Sequence, residues 1–500
     1  MSSTLTVHKK NHSALQINCE PHVANELSDY FAFDVPGAKY MPAYKKGKWD
    51  GKVRLFSTIS RELPVGLFDY LEDFARPRQY KVDVEFNPVY GTPVSEALVT
   101  RKELLAFISH LKLPFEVREY QVDAVLNALK KKRIILLSPT GSGKSLIIYV
   151  LMRWFLANES NKALVIVPTT SLVQQMYADF EDYAKGDPHF DIEKFCHRIY
   201  SGMPKHNQQE RIFISTWQSI YKLPGKWFEP FGAIFGDEVH TFKAKSLTGI
   251  MNKSREAQYR FGTTGTLDGA EANKLQLEGS FGRVYSVTTT KKLIDAGTLS
   301  DLKINVLALQ YRDEERRGVL QAKDYHFEMD FICTHEKRNK FVRNLAIDQE
   351  GNTLVLFQFV GKHGKPLYEL IREKAHSRRK VFYVSGEVDS EVREEIRGIV
   401  EKEKDAIIVA SLGTFSTGIN IKNIHNIIFA SPSKSQVKVL QSIGRGLRKS
   451  EDGRGCTLYD LADDLHIKGK KNYTLLHAAE RMKIYKQQKF DYKVIEVNLK

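Results

Sequence analysis

Two series of short, almost wholly apolar segments constrain this chain more than any other feature. "RIILLS" (133–138), "KALVIVP" (162–168), "RIFIST" (211–216) and "GAIFGD" (232–237) form the first, with helix-length stretches between them. "NTLVLFQF" (352–359), "KVFYVSG" (380–386), "AIIVAS" (406–411), "NIIFAS" (426–431) and "CTLYDL" (456–461) form the second. A strand that alternates apolar and polar residues has one wet face; a continuously apolar strand is buried on both. Such strands belong to parallel sheets with helices on each side. The fold class is therefore α/β, with two parallel-sheet domains in tandem. The turn-rich "DAGTLSD" near residue 298 separates them.

Ahead of both series lies a smaller mixed unit. "TLTVHKK" and "ALQINCE" alternate like paired strands, and "PHVANELSDYF" has helical apolar spacing behind a proline. "KVRLFS" and "YKVDVEF" read as strands and "VGLFDYLEDFA" as a helix, while "NPVYGTPVS" reads as a linker. The expected domains are 1–90 (α+β accessory, nucleic-acid-binding), 91–298 and 299–500. The last ends in a basic tail from Lys468 that reads as mainly helical.

The loop in "IILLSPTGSGKSLII" stands between strand and helix. Backbone N–H groups of such a loop can wrap phosphate oxygens, and the following helix N-terminus adds positive potential. The phosphate-binding residues are Ser138, Pro139, Thr140, Gly141, Ser142, Gly143, Lys144 and Ser145. The two glycines admit close approach, Lys144 reaches the β and γ phosphates, and the Ser145 hydroxyl holds Mg²⁺. Asp237 and Glu238 follow the strand "GAIFG" directly. Active sites of open α/β sheets collect at that strand edge. Asp237 is assigned to the metal and Glu238 to the attacking water.

In "VLQSIGRGLRKS", Gln441, Arg445 and Arg448 fall at i, i+4 and i+7, one helix face. Gly444 and Gly446 each weaken that helix by about 1 kcal/mol relative to alanine, so close approach is expected there. Arginine suits a γ-phosphate because its charge is permanent and its planar fork holds oxygens in pairs.

Taken together, residues 115–450 resemble a superfamily-two helicase core. The segments "VREYQ", "SPTGSGKS", "VPTTSLVQQ", "STWQS", "DEVH", "TGT", "GTFSTGIN" and "QSIGRGLR" stand in that family's order. The whole chain is similar to the recombination helicases of T-even phages. The resemblance implies RecA-like folds for both sheets and ATP-dependent remodelling of branched DNA (forks, junctions, R-loops). It implies Gln121 on the adenine, and Gly418 and Asn420 near the nucleotide cleft. It implies that His240, Thr264, Gly265 and Thr266 couple nucleotide state to the second domain. Thr169, Thr170, Thr216, Gln218 and Thr414 would contact the sugar-phosphate backbone. Ser138 and Ser145 depart mildly from the family pattern, and "DEVH" differs from the Asp-Glu-Ala-Asp of one RNA-helicase class.

Charge agrees with a polyanionic partner: the net is +15 and the pI near 9.3. "KYMPAYKKGKWDGKVR" (39–54) carries six basic residues against one acidic, with aromatics interleaved. Lys45, Lys46 and Lys48 could neutralise phosphates and Trp49 could stack on a base. Residues 468–493 hold eight Lys or Arg against two acids, and "REKAHSRRK" (372–380) is a further patch. A basic hairpin packed on its own core is the plainer reading of 39–54, and a solvated helix face that of the tail. Cys19, Cys196, Cys333 and Cys456 are scattered, without metal-ligand spacing. Absence of a signal peptide or a spanning apolar run points to the cytoplasm, that of the host if phage-encoded. An RNA helicase with the same core, and a passive nucleic-acid-binding protein, are the alternatives. Intact Lys144, Asp237, Glu238 and Arg445 argue against the second.

Overall fold

The computed structural model describes residues 3–35, 37–84, 99–200, 202–205, 209–242, 244–267, 271–375, 379–418, 421, 423–432, 435–447 and 452–499. It divides into two compact units: Met1–Ser138 with Gly143–Val287, and Pro139–Ser142 with Thr288–Lys500. The stretch read as a linker lies outside the described residues.

The first unit begins with a mixed sheet. Strands β1 (Thr4–Lys9) and β2 (Ala14–Asn18) pair antiparallel as the alternation predicts. A second small antiparallel pair joins β3 (Ala32–Asp34) to β4 (Lys52–Arg54). With β5 (Glu62–Pro64) and β6 (Lys81–Val84) the main sheet runs β5-β2-β1-β6. Leu5, Val7, Leu15 and Ile17 share one buried face, packed with Val23 and Leu27 of the helix Pro21–Tyr30 and Leu71 and Phe74 of the helix Phe68–Ala75.

Behind it stands the first large sheet, of seven strands. These are β7 (Arg133–Leu137), β8 (Lys162–Val167), β9 (Cys196–Ile199), β10 (Ile212–Thr216), β11 (Phe231–Gly236), β12 (Tyr259–Thr264) and β13 (Val284–Ser286). Their order is β13-β7-β12-β11-β8-β10-β9, all parallel. The helix Lys144–Asn158 buries an unbroken run from Leu146 to Met152, as a helix apolar on all sides must.

The second unit holds a parallel sheet of the same size. Its strands are β14 (Leu302–Gln310), β15 (Thr353–Phe357), β16 (Val381–Val384), β17 (Ile407–Ser411), β18 (Asn426–Phe429), β19 (Cys456–Asp464) and β20 (Tyr492–Asn498). They run β16-β17-β15-β18-β19-β14-β20. The tail corrects the helical reading. It is helix only over Tyr473–Gln487, and β20 then adds to the sheet edge parallel to β14. An edge strand keeps one side in water, so "YKVIEVN" tolerates lysine and glutamate that disguise it.

Candidate active site

Three neighbouring strands of the first sheet deliver the chemistry at their C-terminal ends. Strand β7 leads to the phosphate loop, β12 lies beside it, and β11 beside that. Ser138 N–H donates to the Thr264 carbonyl at 2.9 Å, and Asp237 N–H to the Ile166 carbonyl at 2.9 Å. These bonds extend the ladder past the strands and fix where each loop departs.

In the loop, Gly141 and Gly143 take left-handed φ of 83° and 80°. A Cβ at Gly143 would collide with the Gln121 amide, and one at Gly141 with Leu299. Both glycines are thus required by backbone sign and by space. Ser142 closes the loop, its hydroxyl donating to the Pro139 carbonyl at 2.6 Å. Buried Gln121 braces its own turn by accepting from Arg118 N–H at 2.9 Å.

Lys144 Nζ donates to Glu238 Oε1 at 2.8 Å, with side-chain exposures of only 12% and 18%. Asp237 is 7% exposed. Its Oδ1 accepts from Thr263 Oγ1 at 2.7 Å and from Glu238 N–H at 3.0 Å. Both bonds fall on Oδ1, which leaves Oδ2 for a further ligand. Burial and the neighbouring Glu238 push the Asp237 carboxyl up. Burial also pushes Glu238 up, but Lys144 and His240 outweigh it and hold that carboxyl below its usual value. Burial and their neighbours thus drive the two adjacent carboxylates in opposite directions.

Glu238 sits at φ 48°, ψ 46°, a left-handed conformation that costs a non-glycine residue on the order of 1 kcal/mol. The kink turns its carboxylate back over the loop. His240 Nδ1 lies 3.4 Å from Glu238 Oε2 and 2.5 Å from Thr264 Oγ1. Thr264 Oγ1 in turn donates to the Thr266 carbonyl at 2.7 Å, and Gly265 N–H faces Glu238 Oε2 at 3.5 Å. The residues read as a coupling set therefore form one chain of contacts with Glu238.

Two partners escaped the sequence reading. Thr263 bonds Asp237, and Tyr183 OH shares a 2.8 Å hydrogen bond with Ser145 Oγ. Thr263 adjoins "TGT" and was within reach of the pattern. Tyr183 comes from the far end of the helix Thr170–Ala184 and only folding brings it there. As donors, Ser145 and Asp237 offer hydroxyl and carboxylate oxygen alone, a set that suits a hard divalent cation sharing its shell with phosphates and water.

Of the residues assigned to the nucleic-acid backbone, Thr169 caps the helix Thr170–Ala184 through Leu172 N–H at 3.3 Å. Thr170 is exposed beside it, and Gln218 reaches the Pro168 carbonyl at 3.2 Å. Thr216 is buried and bonded to Ser219; Thr414, in the second unit, is buried and bonded to Ser411. Lys45, Lys46 and Lys48 are exposed around Gly47, with Tyr40 70% and Tyr44 43% exposed nearby. This stretch runs through a short helix, Pro42–Lys45, and a turn into β4, and forms the long connection of the antiparallel β3–β4 pair. Trp49 is half-buried, its indole donating to the Lys52 carbonyl at 2.7 Å.

In the second unit, Gly418 closes the helix Leu412–Gly418, and Gln441 and Arg445 lie on the helix Gln436–Gly446. Asn420 and Arg448 lie outside the described residues. The close approach expected of the two glycines is present. A Cβ at Gly444 would lie 2.8 Å from that of Thr140, and one at Gly446 would strike Ile427.

Comparison with known proteins bears on this arrangement directly. The model of the DNA helicase UvsW N-terminal domain matches residues 4–85. The type III restriction enzyme res subunit matches 114–269, and the helicase conserved C-terminal domain 336–450. The ATP-dependent DNA helicase uvsW of Enterobacteria phage T4 is 37% identical, covering 99% of this chain and 100% of the relative. The chain belongs to the UvsW family of ATP-dependent superfamily-two DNA helicases. A crystal structure of T4 UvsW matches with a TM-score of 0.53 at 35% identity over 100% of both chains. Outside the UvsW family, the DNA 3'-5' translocase XPB2 of Sulfurisphaera tokodaii is 24% identical over 82% of this chain and 91% of its own. The restriction-modification enzyme LlaBIII bound to DNA shares the fold at a TM-score of 0.55 and 16% identity, over 77% of this chain and 32% of that one.

Proposed function

We propose that this helicase uses ATP hydrolysis to remodel branched DNA, with forks, four-way junctions and R-loops as substrates. The observation that carries the hydrolytic part is the Lys144–Glu238 pair at 2.8 Å beside buried Asp237. A lysine that already has an acid can exchange it for the β and γ phosphates when ATP arrives. Glu238, released, is then free to orient water. Ser145 and Asp237 would hold Mg²⁺, which would neutralise developing phosphate charge. Gln121 would take the adenine, with Gly418 and Asn420 beside the nucleotide. Gln441, Arg445 and Arg448 would complete the site from the second sheet, making turnover conditional on closure. His240 and Thr264 to Thr266 would report that closure through their contacts with Glu238.

For DNA, residues 1–90 act as the accessory domain, 91–298 as the first motor domain and 299–500 as the second. Lys45, Lys46, Lys48 and Trp49 engage the duplex or the branch. Thr169, Thr170, Thr216, Gln218 and Thr414 follow the backbone. Support comes from the exposed lysines and tyrosines of 39–54 and from the net charge of +15.

The deciding experiment measures ATP turnover and strand products with forks, junctions, R-loops, linear duplex and RNA, each with ATP or a non-hydrolysable analogue. Processing of forks and junctions only with ATP is expected. Equal stimulation by linear duplex would remove the branch preference. Replacing Lys45, Lys46 and Lys48 with alanine should make the plot of log affinity against log salt shallower by roughly 2–3.

A further inference from the structure

Arg133 and Arg260 are register partners on neighbouring strands β7 and β12, at the opposite end of the sheet from Lys144 and Glu238. Like charges placed side by side on a ladder repel. Both are also buried, 4% and 1% exposed, where a charge without a counter-charge is costly. Among the described residues, neither is paired with a carboxylate. Arg260 is held by the carbonyls of Ala257 (3.0 Å) and Ser254 (2.7 Å) and by Ser13 Oγ (2.8 Å). Arg133 Nη2 donates to the His12 carbonyl.

The surroundings add more positive charge. Lys9 and Lys132 both act electrostatically on His12, and Lys9 Nζ lies 3.2 Å from His12 Nε2. Burial, then Lys9 and the two arginines, push the His12 imidazole down to about 3. Burial lowers both guanidiniums, and Arg133 lowers Arg260 further. The acids in reach are Glu256, which acts on Lys9, and Glu159, which acts on Lys132. Among the described residues, Arg133 Nη1 and His12 Nδ1 are buried polar atoms without a hydrogen-bond partner. They come from two parts of the chain, the motor sheet and the β1–β2 turn that lies over it. That turn is tied down by His12 N–H to the Arg255 carbonyl (3.1 Å) and Ser13 Oγ to the Met251 carbonyl (2.8 Å).

We propose that Arg133, Arg260, His12 and Lys9 form a site for a small tetrahedral oxyanion, of the phosphate or sulfate class. The ion braces the N-terminal sheet against the non-catalytic end of the motor sheet. It supplies the missing negative charge, and its oxygens accept from the unpaired Nη1. A free ion fits better than a DNA phosphate, because the β1–β2 turn closes over both guanidiniums. This site is independent of the nucleotide loop and of the DNA substrate.

The test is a sulfate titration read by thermal unfolding at constant ionic strength, with chloride as balance. The Lys144→Ala background is used so that the nucleotide loop contributes little. A saturable rise in Tm is expected, absent in chloride. Arg133→Met should weaken sulfate binding by about tenfold or more, the scale of one charge-assisted hydrogen bond. Should Arg133→Met fail to fold, His12→Ala at the less buried turn should still weaken it measurably. A rise that never saturates, or equals that in chloride, means water fills the site and overturns the proposal. So does a sulfate affinity untouched by both substitutions. Displacement of sulfate by duplex DNA would show a backbone phosphate instead, and would equally overturn it.

Discussion

Each unit contains a buried ion pair, and the two differ in how firmly they are held. Lys144–Glu238 in the first makes one 2.8 Å contact and keeps a little exposure on both sides. Arg338–Asp463 in the second is 0% exposed on both sides. Arg338 Nε and Nη2 meet Asp463 at 2.6 and 3.0 Å, Nη2 also reaches the Ala430 carbonyl at 2.8 Å, and Tyr311 OH donates to Asp463 at 2.7 Å. A similar clamp joins Arg481 to Asp460 and Tyr485, pinning the Tyr473–Gln487 helix to β19. A pair with several bonds on each member is scaffold. Lys144–Glu238 has a single direct bond between its members at a strand end, and on the proposed function it would be a placeholder for a ligand.

The comparison breaks first on turnover. Lys144→Ala combined with Arg445→Ala should cut DNA-stimulated ATP hydrolysis by about a thousandfold or more, the scale for cations that face the transferred phosphoryl group. Thermal unfolding should move little. Retained phosphate release would end the placeholder reading. Next in size is Arg338→Met, which strands Asp463 without a partner and should lower unfolding free energy by about 3–5 kcal/mol in denaturant titrations. Arg338→Met with Asp463→Leu should recover much of that loss. A single substitution as mild as a surface one would show that the second pair is not scaffold.

The most gradual effect, smallest per step of the titration, is a pH dependence beside the same pair. His363 is buried, its Nδ1 2.9 Å from Ser431 Oγ. Burial, then Arg338, push its imidazole down to about 3, with Asp463 opposing. The folded state therefore refuses a proton that the unfolded state accepts below about 6.5. Its stabilising contribution is present above that pH and drains away as pH falls towards 3, by at most ~1.4 kcal/mol per pH unit. His363→Gln should flatten the stability-versus-pH curve over that window. An unchanged slope would mean the imidazole is already protonated in the fold.

Much of this was legible in the sequence where local pattern and chemistry coincide. The apolar strands β7, β8, β10 and β11 are long runs with no competing reading, and the glycines of the phosphate loop declare their own backbone. Strand β12 was not visible, because "YRFGTT" places an arginine, a glycine and two threonines in six residues. Its Arg260 is buried only because the β1–β2 turn and three oxygen acceptors meet it. Contacts of that kind, like Tyr183 on Ser145, arise from distant segments and leave no periodic trace. The tail strand was hidden by composition: lysine and glutamate between its apolar residues look like a solvated helix until the sheet edge is known.

Glu238 carries one more implication. Glycine or asparagine would rest more easily in its left-handed backbone, and neither has a carboxylate to offer water. On the proposed function, backbone comfort and the orienting of water therefore make opposite demands on this position. Relaxing the backbone there, as in Glu238→Asn, would on that proposal leave a protein that grips nucleotide and does not turn it over.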